Sequence, residues 1–102
     1  MYYECNTIDI ERFVTEFLRY TVIYDNFATD DIGETAFLAD GECSLKVWRN
    51  YKKENVIYPV NTIVLDKMYL LPKNECRKRF ALAHEAGHII MDIFLRLLKF
   101  IF

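Results

Sequence analysis

The sequence contains little glycine and proline, with three and two residues respectively in a chain of 102. Disordered segments are often rich in these residues and poor in hydrophobic ones, so the scarcity argues against an unfolded chain. Hydrophobic residues make up 53% and aromatic residues 16% of the chain, which is enough for one modest hydrophobic core. We therefore expect a single folded domain over residues 1–102.

Cysteine is also scarce, and Cys5, Cys43 and Cys76 do not form a C-x-x-C pair. This spacing excludes a thiolate zinc cluster and predicts reduced thiols rather than a disulfide scaffold. The first residues contain neither the basic nor the apolar segment of a secretory signal. Both features predict a cytoplasmic protein.

Neither sign of charge dominates the sequence, because 13 basic and 15 acidic residues give a net charge of −2. Domains that bind nucleic acid are usually basic or carry a basic face. We therefore expect no direct contact with nucleic acid.

The hydrophobic spacing predicts an α+β fold. Apolar residues recur at helical intervals over residues 10–18, which indicates an amphipathic N-terminal helix. A turn at Asp40-Gly41 predicts a hairpin between two strands, and residues 49–55 resemble a charged turn. Because the strands cluster in the middle of the chain, we predict a small, mostly antiparallel sheet, followed by a C-terminal helix that either has Pro72 in its first turn or is capped by Asn74. The runs typical of short strands are residues 21–24, 34–39, 44–48, 56–58 and 62–65.

The chain has only two histidines, His84 and His88, and Glu85 follows the first directly. This is the pattern H-E-x-x-H, in which residues i and i+4 of a helix lie on one face about 6 Å apart. Two imidazole rings at this spacing can bind one zinc ion, and the adjacent carboxylate can act as a general base. We predict His84 and His88 as metal ligands and Glu85 as the catalytic residue, with no other cofactor.

Two parts of the sequence resemble the ImmA/IrrE family of metallo-endopeptidases: the stretch of residues 56–66 and the segment Arg77-Lys78-Arg79-Phe80-Ala81-Leu82-Ala83-His84-Glu85-Ala86-Gly87-His88-Ile89-Ile90. The resemblance covers residues 32–91, and its specific core is residues 77–90. It implies a compact α+β fold and a zinc site with His84 and His88 as ligands and Glu85 as general base. Members are typically intracellular, and several cleave helix-turn-helix repressors that control mobile elements or stress genes, so a protein substrate of this kind is implied.

The sequence departs from the family after the motif. The family has a third ligand, an acidic residue on a later helix, whereas only fourteen residues follow His88 here. We therefore expect a domain truncated at its C-terminus. The Cα atom of Asp92 lies about 9 Å from an ion held by the histidines, which is beyond the reach of an aspartate side chain. It is a candidate to accept the free N–H of His88, or it forms an i,i+4 ion pair with Arg96.

The last fourteen residues are apolar at eleven positions. Since they are fewer than the roughly twenty of a membrane span, we expect a missing half of the domain or self-association through the C-terminal helix to cover them, rather than a membrane. Two functions stay open: a zinc endopeptidase, with its site complete or completed by a second chain, and a catalytically incomplete remnant that acts as a protein-binding or self-associating module.

Overall fold

The computed structural model describes residues 9–29 and 33–101. Helix α1 (Ile10–Arg12) continues directly into one π-helical segment, Phe13–Phe17. The strands are β1 (Thr21–Asp25), β2 (Ala36–Ala39), β3 (Ser44–Arg49), β4 (Lys52–Ile57) and β5 (Thr62–Asp66). Two 3-10 turns, Lys67–Leu70 and Pro72–Asn74, lead into the long helix α2 (Glu75–Ile101). This order of elements confirms the predicted α+β fold.

The strands form two small sheets instead of one. In the three-stranded sheet β5 is central, parallel to β1 and antiparallel to β2, while β3 and β4 form a separate antiparallel pair. Ile63, Val64 and Leu65 of β5 are fully buried, because both faces of the central strand are covered. A strand of this kind has a continuous apolar run rather than an alternating one.

The predicted hairpin at Asp40-Gly41 is wrong. Strand β2 pairs with β5 and not with β3, so the turn at Asp40-Gly41 carries the chain from one sheet to the other. The hairpin lies instead at Asn50 and Tyr51, which both have positive φ, 50° and 65°, as a two-residue turn of type I′ requires. Residues 49–55, predicted as a turn, therefore belong mainly to β4.

A buried carboxylate links the two sheets. Asp25, at the end of β1, accepts hydrogen bonds from the Arg49 guanidinium and from the Tyr58 hydroxyl, and the Nη2–Oδ2 distance to Arg49 is 2.7 Å. Burial alone would raise the pKa of Asp25, but the hydrogen bonds from Arg49, Tyr58 and the Asn26 backbone outweigh it and lower the pKa to about 2. Burial and the neighbouring Asp25 raise the pKa of Tyr58 to about 12. The cluster thus holds an ionised aspartate between the sheets.

Helix α2 packs on the three-stranded sheet through one face. Leu82, Ala86 and Ile89 are buried there against residues that include Ile63 and Leu65. Their i, i+4, i+7 spacing places them on one side of the helix, and burial of each large apolar side chain contributes about 1.5–3 kcal/mol. The positions between them, 84 and 88, consequently lie on the solvent side.

The cysteines differ from the prediction. Cys43 is a free, exposed thiol, whereas Cys76 is disulfide-bonded. The prediction of reduced thiols is therefore wrong at Cys76, and Cys5 lies outside the described residues.

The C-terminal part of α2 projects beyond the sheet. From Ile90 to Ile101 all side chains are exposed except that of Leu98, which is partly buried. Within residues 9–29 and 33–101, no helix combines the length and apolar composition that crossing a membrane requires.

Candidate metal and catalytic site

The two histidines converge on the exposed face of α2. The Nε2 atoms of His84 and His88 are 3.0 Å apart, and the rings meet edge to face with centroids 4.5 Å apart. At this distance one ring donates its Nε2–H and the other accepts it. The predicted pair of ligands is therefore brought together by one turn of a helix that the core already fixes.

This geometry fits two ligands of a zinc ion. Zinc binds imidazole nitrogen at about 2.0–2.1 Å, so two ligands at a tetrahedral angle are about 3.4 Å apart. The observed distance between the Nε2 atoms of His84 and His88 is 3.0 Å. Because both rings are exposed, a small rotation of the side chains is enough to reach the metal-bound spacing.

Glu85 occupies a less exposed position than the histidines beside it. Burial raises the pKa of its carboxyl group, although His84 and His88 lower it in part. A carboxylate whose pKa is raised is a stronger base, which suits a group that removes a proton from water near neutral pH. The predicted general base thus lies on the more buried side of the two histidines.

A cleft of about 470 Å³ lies between α2 and the start of β2 and includes His84 and Glu85. The helix side is formed by these residues together with Arg77, Phe80 and Ala81, and the opposite side by residues 33–36. At its base the Tyr69 hydroxyl and Thr35 Oγ1 are 2.7 Å apart and share a hydrogen bond. His84 and Glu85 therefore line a cleft whose volume lies within the range of known ligand-binding clefts.

The sequence does not predict the residues that line the cleft on the side of β2. Glu34 and Thr35 belong to no motif, and only the pairing of β2 with β5 brings them opposite α2. Arg77 also lines the cleft, whereas its neighbours Lys78 and Arg79 form ion pairs with Glu75 at 3.0 and 3.1 Å.

A third protein ligand is not part of the described site. Catalytic zinc sites generally use three protein ligands and leave one position for water or substrate. In the described ranges of the chain, no three His, Cys, Asp or Glu side chains are grouped so that they could hold a metal ion.

Asp92 forms an exposed ion pair with Arg96 at 3.0 Å, and the hydrogen bond of His88 is to His84. Of the two roles considered for Asp92, the structure thus has the ion pair.

Comparison of the chain with models of known protein families, with curated proteins and with solved structures finds no match.

Proposed function

We propose that this chain is a zinc-dependent metallo-endopeptidase of the ImmA/IrrE type. One observation carries the proposal: the Nε2 atoms of His84 and His88 converge to 3.0 Å, and His84 lines a cleft together with Glu85. Two imidazoles and a carboxylate in this order on one helix are suited to metal-assisted hydrolysis of a peptide bond.

In the proposed reaction the metal provides electrostatic stabilisation and Glu85 transfers the proton. His84 and His88 would hold the zinc ion, which when bound would supply positive charge beside the carbonyl group of the substrate. Glu85 accepts a proton from the attacking water and then delivers it to the amine that leaves. The raised pKa of its carboxyl group favours the first of these transfers, because a stronger base accepts the proton of water more readily.

An extended peptide is the substrate that the surroundings of the cleft suit best. In the described sheet β2 is an edge strand, and an edge strand can pair with an added strand through its backbone groups. The residues that lead into β2 line the cleft, so a peptide paired there would pass the histidines. Together with the family resemblance, this supports a cytoplasmic protein substrate such as a helix-turn-helix repressor.

The two-ligand site favours a second candidate function. If no third donor is supplied, for instance by a second chain, two imidazoles hold zinc weakly, and the chain is then a protein-binding module without catalysis. The observation behind this alternative is the absence of a third ligand within residues 9–29 and 33–101.

Zinc binding is the first test of the proposal. We expect chelator-washed protein to take up about one zinc per chain, and His84→Ala to weaken zinc binding by at least about tenfold, because one of the two ligands is lost. Metal analysis after dialysis and calorimetric titration measure both quantities.

The matched control for zinc binding is Asp92→Ala, on the same helix. Asp92 is paired with Arg96, so this variant should bind zinc as the unsubstituted chain does. Circular dichroism checks that each variant keeps its helix. Absence of stoichiometric zinc, or equal zinc binding by His84→Ala, would contradict the proposed site.

A further inference from the structure

Helix α2 has a second apolar face, on the side away from the sheet. Met91, Phe94, Leu98 and Ile101 follow one another at intervals of three, four and three residues, the spacing of the a and d positions of a heptad repeat. We call these four residues the outer stripe. Because 3.6 residues make one turn, the buried residues Leu82, Ala86 and Ile89 lie on a different side of the helix from the outer stripe. The two faces therefore serve different contacts.

The outer stripe and its flanks are largely exposed. Met91, Phe94 and Ile101 are exposed by 55%, 53% and 72%. The flanking e and g positions, Ile90, Leu95 and Leu97, are exposed by 44%, 52% and 56%. With about 200 Å² for each large apolar side chain, this surface amounts to roughly 700 Å². Typical monomers expose at most about 300–600 Å² in one apolar patch, whereas a stable interface buries about 800 Å² on each partner.

A contact along the projecting part of α2 would also stabilise this part of the helix. Isolated helices shorter than about 12–15 residues are marginal in water, and most helices in proteins are stabilised by the packing of an apolar face. The segment from Ile90 to Ile101 has only exposed or partly buried side chains. Packing of the outer stripe against another helix would supply this stabilisation.

We infer that the outer stripe is a self-association surface and that a second copy of this chain is its occupant. A heptad stripe is complementary to itself, because a and d side chains of one helix fit between those of an identical helix. The charged residues of this segment, Asp92, Arg96 and Lys99, occupy b and f positions, so pairing leaves them in water. A homodimer therefore buries the apolar area without burying an unpaired charge.

The association state of the full chain tests this inference. Sedimentation equilibrium over about 1–100 µM chain, in the presence of chelator, should give twice the mass of one chain in the upper part of the range. Phe94→Lys should weaken dimerisation by at least about tenfold, because it places a charge at the centre of the interface. Met91→Lys provides a second variant on the same stripe with the same expected loss.

Phe100→Lys is the matched control. Phe100 lies on the same helix and is 93% exposed, but it occupies a c position outside the outer stripe. The dissociation constant of the dimer should therefore change by less than about threefold in this variant. A chain that is monomeric over the whole range overturns the inference, as does an equal effect of Phe94→Lys and Phe100→Lys. A monomer that binds vesicles of anionic phospholipid overturns it in favour of a membrane surface. Because chelator is present, none of these results depends on zinc or on the proposed peptidase activity.

Discussion

Glu85→Gln is expected to lower peptide hydrolysis by about 10²–10⁴-fold while zinc stays bound. Glutamine keeps the size of the side chain but cannot accept the proton of the attacking water. The substitution should therefore lower kcat/KM and leave the zinc content unchanged. The measurement is cleavage of an unstructured protein or a repressor by the zinc-loaded chain, followed by mass spectrometry, with zinc determined in the same samples.

Glu34→Gln is the control for this experiment. Glu34 lines the same cleft as Glu85 but does not adjoin either histidine in the sequence, so the variant should retain activity to within a fewfold. If Glu85→Gln cleaves as fast as the unsubstituted chain, Glu85 is not the general base. If the zinc-loaded chain cleaves no substrate while it binds one stoichiometrically, the non-catalytic binding module is the better description.

Asp25→Asn is expected to reduce the free energy of unfolding by about 2–3 kcal/mol. The amide keeps one acceptor oxygen, but its NH2 group cannot accept the hydrogen bonds that the second carboxylate oxygen receives, and it carries no negative charge to pair with Arg49. Breaking a buried ion pair from one side is costly. The loss is a large part of the stability of a small domain, which is about 5–15 kcal/mol. Urea denaturation followed by circular dichroism measures it.

Asp92→Asn is the matched control, since Asp92 also pairs with an arginine but its side chain is 61% exposed. Exposed pairs of this kind contribute little, so a change of less than about 0.5 kcal/mol is expected. An equal loss in both variants would mean that Asp25 does not hold the two sheets together.

The same aspartate makes stability depend on pH. Its pKa falls from 3.8 in the unfolded chain to about 2 in the folded protein. The contribution of Asp25 is therefore fully present above about pH 5 and is lost as the pH falls toward 2, by about 2 kcal/mol in total. Denaturation at pH 7 and near pH 2 should show this fall in the free energy of unfolding in the unsubstituted chain. In Asp25→Asn the fall between the same two pH values should be smaller by the contribution of Asp25. An identical pH dependence in the two proteins would contradict the folded-state pKa of Asp25.

The candidate metal-binding pair was predictable from the sequence because it depends on one helix only. His84 and His88 are neighbours through the pitch of α2, and the buried spacing of Leu82, Ala86 and Ile89 turns them toward solvent. Periodicity of this kind is local, so composition and spacing are enough to place the side chains. The strands at residues 21–24 and 62–65 were found for the same reason.

What the tertiary structure alone decided is which distant segments meet. The pairing of β2 with β5 rather than β3 creates the cleft opposite Glu85, and the junction of Asp25 with Arg49 and Tyr58 fixes the position of the second sheet. No local pattern determines such pairings, because they depend on how segments far apart in sequence share one core. The chemistry of the proposed site thus follows from the sequence of one helix, and the shape of the space in which it would act follows from the fold.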